Sequence, residues 1–299
     1  MKYIIAIILT AALALNAYAL STADEHFYKG ANLELNGKDL LAISEYNKAI
    51  TADTAFLPAY LNLSTIYIKR GMSQQALVVL DNGLRIFKNN PSLVNNYGLL
   101  KLMQNDTAGA LAVFKRAIDR SPYNAQLYYN FALIYEKLGK IKNAINNYEM
   151  AIKLDKHNSK AYNNLASIYI NQQKYKKALA LLSQNKYPDI DTYFNLGLIY
   201  EKMGKLIAAE KNYKKALRIK DNDKNVLFRL ASVFEARGIY IKAKPLFEKL
   251  VEYAPENVAY LTGLADSLKN LGYKSKANAY YRKALKIYQD SILSGSETP

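Results

Sequence analysis

Between residues 125 and 151 the apolar positions fall into two successive helical stripes. Tyr128, Phe131, Ala132 and Tyr135 stand three and four apart, the spacing of one face of an α-helix. Leu138-Gly139-Lys140 interrupts the pattern, and Ala144, Tyr148 and Ala151 resume it. This predicts a helix, a tight turn that glycine permits, and a second helix.

The arrangement recurs along the chain. Ala42, Ala76, Ala110, Ala144 and Ala178 are 34 residues apart; Ala209 follows after 31, and Ala243 and Ala277 resume the 34-residue step. A second series is also small: Gly30, Ser64, Gly98, Ala132, Ala166, Gly197, Ala231 and Ala265. A third is bulky: Tyr46, Leu80, Phe114, Tyr148, Leu182, Tyr213, Phe247 and Tyr281. Gly37, Gly71, Gly139, Gly204, Gly238 and Gly272 mark the turns. Three series sharing one irregularity define a tandem repeat of helix pairs. Two helices approach closely only where both are small, and the bulky residue fills the space beside the crossing.

These residues resemble the tetratricopeptide repeat family, whose 34-residue unit carries an aromatic, a Leu-Gly pair, a tyrosine, then alanine, an aromatic and a closing proline. Tyr193-Phe194-Asn195-Leu196-Gly197-Leu198-Ile199-Tyr200 is similar to its first helix; Ala144, Tyr148 and Ala151 match its second, and Pro122 and Pro255 its closing proline. The resemblance implies an all-α fold, a right-handed α-solenoid superhelix of about eight helix-turn-helix units. Their bounds are about 23–56, 57–90, 91–124, 125–158, 159–189, 190–223, 224–257 and 258–290. The array then occupies 20–290, after a signal peptide at 1–19 and before a flexible tail at 291–299. No unit has tryptophan in the leading slot, and Lys101 replaces the helix tyrosine in unit three. Unit five lacks three residues, so its second helix is expected to end near Ser183 or Gln184, with a local change in pitch and flexibility there.

In this family the first helices line an extended concave face. Asn62, Asn96, Asn130, Asn164 and Asn195 share one slot there. A carboxamide donates and accepts, so a row of them can pair with the backbone of an extended peptide whatever its side chains. The row resembles the asparagine ladder of O-linked N-acetylglucosamine transferase. Tyr129, Phe194 and Phe228 stand beside it, with Leu99, Leu133 and Leu198 one turn further on, as candidate side-chain pockets. Asparagine is also a common family choice in the ladder slot, and the apolar neighbours could instead be packed inside the array. Asn195 and Arg229 fit two positions of the family's carboxylate clamp, but Asn163, Ser167 and Asn225 stand where its lysines and amide belong, which argues against such a clamp.

Composition narrows the classes. The 299 residues are 51% hydrophobic and 22% charged, with 13 glycines and 7 prolines, which favours a folded helical chain over a β-rich or disordered one. Absence of cysteine excludes disulfides, thiolate chemistry and cysteine-ligated zinc. His26 and His157 are far apart, and no GxxxxGK[ST], GxSxG or HExxH occurs. The expectation is a protein that is no enzyme and needs no cofactor or metal.

The N-terminus reads as an export signal. Lys2 precedes an apolar run from Ile4 to Leu15, and Ala17-Tyr18-Ala19 fits small-x-small cleavage. The run is shorter than the roughly 20 residues that span a bilayer, so an N-terminal membrane anchor is the lesser alternative. A periplasmic or secreted location follows, with peripheral envelope association. Residues 20–122 hold 11 basic and 9 acidic side chains, whereas 123–299 hold 29 and 16. The first reading is an envelope scaffold that binds an extended segment of another protein. The alternative is binding of anionic polymer or lipid through the basic C-terminal half; export disfavours nucleic acid. The final helix, with Leu285 and Tyr288, is a candidate surface for a weak homodimer.

Overall fold

The computed structural model describes residues 21–293. The expected signal peptide, 1–19, and residues 294–299 lie outside them. The described residues form helices and no strands. In repeats one to four these are α1 (Thr22–Leu35) and α2 (Asp39–Ala52), α3 (Leu57–Lys69) and α4 (Ser73–Ile86), α5 (Pro91–Met103) and α6 (Thr107–Arg120), and α7 (Ala125–Lys137) and α8 (Ile141–Leu154). Repeats five to eight hold α9 (Ser159–Asn171) and α10 (Tyr175–Leu182), α11 (Ile190–Lys202) and α12 (Leu206–Ile219), α13 (Lys224–Ala236) and α14 (Tyr240–Tyr253), and α15 (Val258–Asn270) and α16 (Lys274–Leu293). The fold is all-α, as the sequence predicts. The last helix runs to Leu293, three residues into the segment expected to be tail.

Local chemistry sets the helix ends. Asn90, Asn124, Asn158, Asp189, Asp223 and Asn257 cap first helices, each accepting from backbone N–H groups of the first turn. The turns within repeats need one residue in the left-handed region. Six are glycines, with φ from 67° at Gly139 to 89° at Gly272, and Asn105 and Gln173 adopt 60° and 57° in the same slot. The turn therefore persists where its glycine is missing, at a steric cost.

The chain divides into two compact blocks, residues up to Asn147 and residues from Tyr148. In the first, Ala42, Tyr46, Leu63 and Ile66 form one core cluster, and Tyr60, Ala76, Leu80, Leu93 and Leu100 another. In the second, a cluster runs from Ala209 to Ala277. The small and bulky series meet as the sequence predicts. A Cβ on Gly30 would lie 2.8 Å from the Tyr46 ring, and one on Gly98 2.6 Å from Phe114.

In repeat five α10 has 8 residues where most other second helices have 14, ending at Leu182 with Ser183 as its cap. Polar groups replace the lost turn. Asn185 is buried and donates to Thr192 Oγ1 (3.0 Å) and Ser159 Oγ (3.2 Å), while Thr192 Oγ1 donates to Asn163 Oδ1 at 2.9 Å. The Tyr187 ring stacks on His157 with centroids 4.2 Å apart.

Candidate functional site

The five ladder asparagines sit on the first helices of repeats two to six, and each spends an N–H inside its own block. Asn62 Nδ2 donates to the Tyr46 hydroxyl (3.0 Å) and Asn164 Nδ2 to that of Tyr148 (3.2 Å). In both cases the acceptor is the bulky residue of the preceding repeat's second helix. Where that residue has no hydroxyl, the amide turns elsewhere. Behind Leu80, Asn96 donates to Ser64 Oγ (3.0 Å) and Thr65 Oγ1 (3.2 Å). Behind Phe114, Asn130 donates to the Pro91 carbonyl (3.0 Å), and behind Leu182, Asn195 donates to the Asn163 carbonyl (3.3 Å).

The ladder thus joins successive first helices to the repeat before them. One expectation is corrected outright: Asn130 does not face an open groove. It is 7% exposed, and its Oδ1 accepts from Gln126 Nε2 at 2.9 Å. Burial of an amide is tolerated because both ends are satisfied. The other four are half-buried, and the Oδ1 atoms of Asn62, Asn96 and Asn195 have no partner among the described residues.

The apolar neighbours are all half-buried. In the block up to Asn147 these are Leu99, Tyr129 and Leu133; in the block from Tyr148 they are Phe194, Leu198 and Phe228. Phe194 lies 5.9 Å from the Tyr213 ring, and Phe228 lies 5.4 Å from Tyr260 and 6.2 Å from Phe247. Each phenylalanine is part wall of the core and part surface.

The acidic residues of these helices follow a second rule. Tyr46 donates to Glu34 Oε2 (2.9 Å) and Tyr213 to Glu201 Oε2 (2.7 Å), the acid standing twelve residues before the tyrosine. Burial pushes the Tyr46 phenol up to about 12 and raises that of Tyr213. Arg229, in the ladder slot of repeat seven, reaches Glu201 Oε1 at 3.4 Å. Repeat seven keeps the acid as Glu235 but has Phe247 in the tyrosine slot and Gly263 in the next ladder slot. Both donors are missing, and Glu235 Oε1 is buried without a partner. Burial, then the charge of Asp266, pushes its carboxyl up to about 7. The i, i+12 spacing of acid and tyrosine was the signal available in the sequence.

His26 is half-buried and contacts Glu45 Oε2 through Nδ1 at 2.8 Å. Glu45 itself is buried beside Lys29 and Lys48, at 3.1 and 2.8 Å. Lys48, then His26, hold its carboxyl down at about 2 against the opposing effect of burial. Among the described residues no His, Cys, Asp or Glu group has the arrangement of a metal site, and no helix is long and apolar enough to cross a membrane.

Tetratricopeptide repeat models match residues 113–146, 190–223 and 258–291, and a TPR repeat model matches 137–173. The human Protein O-mannosyl-transferase TMTC3 is 30% identical over 95 residues, 32% of this chain and 10% of that protein, so the chain spans about a tenth of its length. Among solved structures, YrrB, described as a TPR protein with an unusual peptide-binding site, is 22% identical over 60% of this chain and 94% of its own, with a TM-score of 0.53. PilF of Pseudomonas aeruginosa is 21% identical over 80% and 95%, with a TM-score of 0.54. The C-terminal part of a TPR repeat-containing protein of Cytophaga hutchinsonii is 21% identical over 76% and 95%, with a TM-score of 0.56. At such identities the likeness to solved structures is one of fold. Taken with the 34-residue period and the paired helices, the family matches make this chain a tetratricopeptide repeat protein.

Proposed function

We propose that the chain is a non-enzymatic scaffold of the cell envelope, exported by residues 1–19, that binds an extended segment of a partner protein along its first helices. The observation that carries this reading is the half-exposed Phe194, Leu198 and Phe228 beside Asn195, whose carbonyl oxygen remains unpaired. Aromatic side chains fixed on one edge by the core make good anchors because little rotamer freedom is lost on binding. The peptide-binding site attributed to YrrB adds support by analogy of fold alone.

The test is capture from envelope extract by the full chain and by a Phe194→Ser/Phe228→Ser variant, with helicity checked by circular dichroism. A protein retained by the first and lost by the folded variant supports the reading; equal recovery overturns it. Salt separates the alternative of polyanion binding, which weakens steeply as ionic strength rises. Part of the C-terminal charge is already neutralised internally, since Lys214, Lys220 and Lys244 pair with Glu210, Asp223 and Glu248. Self-association through α16 accompanies the proposal, because Leu285, Tyr288 and Ile292 are exposed there. A strictly monomeric mass by light scattering at high micromolar concentration excludes it.

A further inference from the structure

Lys101 stands where the repeat calls for tyrosine, and the structure gives that departure a consequence. In repeat five the slot holds Tyr169, which is buried and donates to Glu149 Oε1 of the preceding second helix at 3.1 Å. Lys177, on the second helix of its own repeat, lies 4.4 Å over the ring. The ring thus fills the gap between two second helices. In repeat three the Lys101 ammonium turns instead to Asp106 at 3.3 Å, and the ring of Tyr97, one turn earlier on the same helix, lies on the wall of the space. A half-open cavity of about 450 Å³ lies between α4, α5 and α6, inside the block up to Asn147, with Arg85, Arg116 and Arg120 exposed at its rim. That volume is in the range of small-ligand pockets, about 300–1,000 Å³.

The lining has a definite chemistry. Arg85 comes from α4 and Arg116 and Arg120 from α6. None of these guanidiniums makes an ion pair or hydrogen bond with a described residue. Asp106 is engaged by Lys101 and by the Gly109 N–H at 2.7 Å. The other acid, Asp81, bears on the Tyr97 phenol, whose ionisation is opposed by burial first and by Asp81 second. Leu84, Val94 and Val113 supply apolar wall.

Unpaired guanidiniums beside an apolar wall suit a planar anion of low charge carried on an apolar stem. A carboxylate meets that description. A polyphosphate does not, because two acids share the lining and its charge would be poorly matched by walls of leucine and valine. We propose that this cavity is a second binding site, for a carboxylate on an acidic, partly apolar segment of a partner protein. It uses none of the first-helix residues invoked above, so either reading can fail without the other.

The test is calorimetric titration of the full chain with a short capped peptide of alternating Glu and Leu, and with its Gln counterpart. A third peptide, the Gln sequence with a free C-terminal carboxylate, distinguishes a side-chain from a terminal source. The Glu peptide is expected to bind, and the capped Gln peptide to bind roughly tenfold more weakly or not at all. Arg116→Ala should weaken the Glu peptide by roughly tenfold. Lys101→Tyr should abolish binding by filling the cavity with the side chain that repeats two, four, five and six carry in this slot, while leaving the melting temperature equal or higher. Equal binding by the folded Lys101→Tyr variant, equal affinity for the capped Gln peptide, or inorganic polyphosphate displacing the peptide as the tighter ligand would each overturn the proposal.

Discussion

Asn130 shows how one slot in a repeat can hold residues of the same type with different duties. It is buried between the Pro91 carbonyl and Gln126, so Asn130→Ala should cost about 1–2 kcal/mol by stranding a buried acceptor. Urea denaturation checks this; an unchanged midpoint would return Asn130 to the surface. Gln173 makes the opposite prediction. It holds φ of 57° where six other repeats have glycine. Replacing it by glycine relieves a left-handed conformation that costs an L-residue about 1–2 kcal/mol, less the entropy glycine loses on folding. The expected gain is roughly 0.5–1 kcal/mol, read as a raised urea midpoint.

At the scale of the element, the helix pair is held by the meeting of small and bulky positions. Ala144 is fully buried at such a crossing, so Ala144→Leu should overpack it and destabilise by about 1–3 kcal/mol, measured by thermal melting. Which side chains are small was legible in the sequence, because a period of 34 exposes them. The short α10 was legible too, from three missing residues. The network that compensates for it, through Asn185, Thr192 and Asn163, was not. Asn163 and Thr192 lie on successive first helices and Asn185 in the loop that follows α10, and they become partners only when the shortened helix brings that loop against Thr192.

For the molecule as a whole, two carboxyls oppose each other in the dependence of stability on pH. Glu45 is held at about 2, well below its ordinary 4.5, so its contribution is present above 4.5 and lost as pH falls through about 2. Glu235 is raised to about 7, so the folded chain binds its proton more tightly than the unfolded chain does. Its contribution is present below 4.5 and is lost as pH rises through about 7. Asp266 faces the same group, and its own neighbour Tyr281 donates to it at 2.5 Å. Urea midpoints of the parent chain should therefore decline between pH 4.5 and 7, and those of Glu235→Gln should decline less. Parallel curves would show that Glu235 ionises as an ordinary exposed carboxylate.

The paired-helix architecture is legible from the chain alone. Periodic small, bulky and glycine positions dictate paired helices, their turns and the irregular fifth repeat, because each repeat must bury the same face against its neighbours. The chain alone also locates the candidate first-helix residues. What those residues are free to do depends on contacts made between repeats after folding. An asparagine's hydrogen bonds depend on whether the preceding second helix offers a tyrosine hydroxyl, a leucine or a phenylalanine. A lysine in a tyrosine slot is a simple substitution in the sequence, but between two second helices it leaves a cavity lined by unpaired arginines. These outcomes rest on contacts between repeats, which the period announces but does not specify residue by residue.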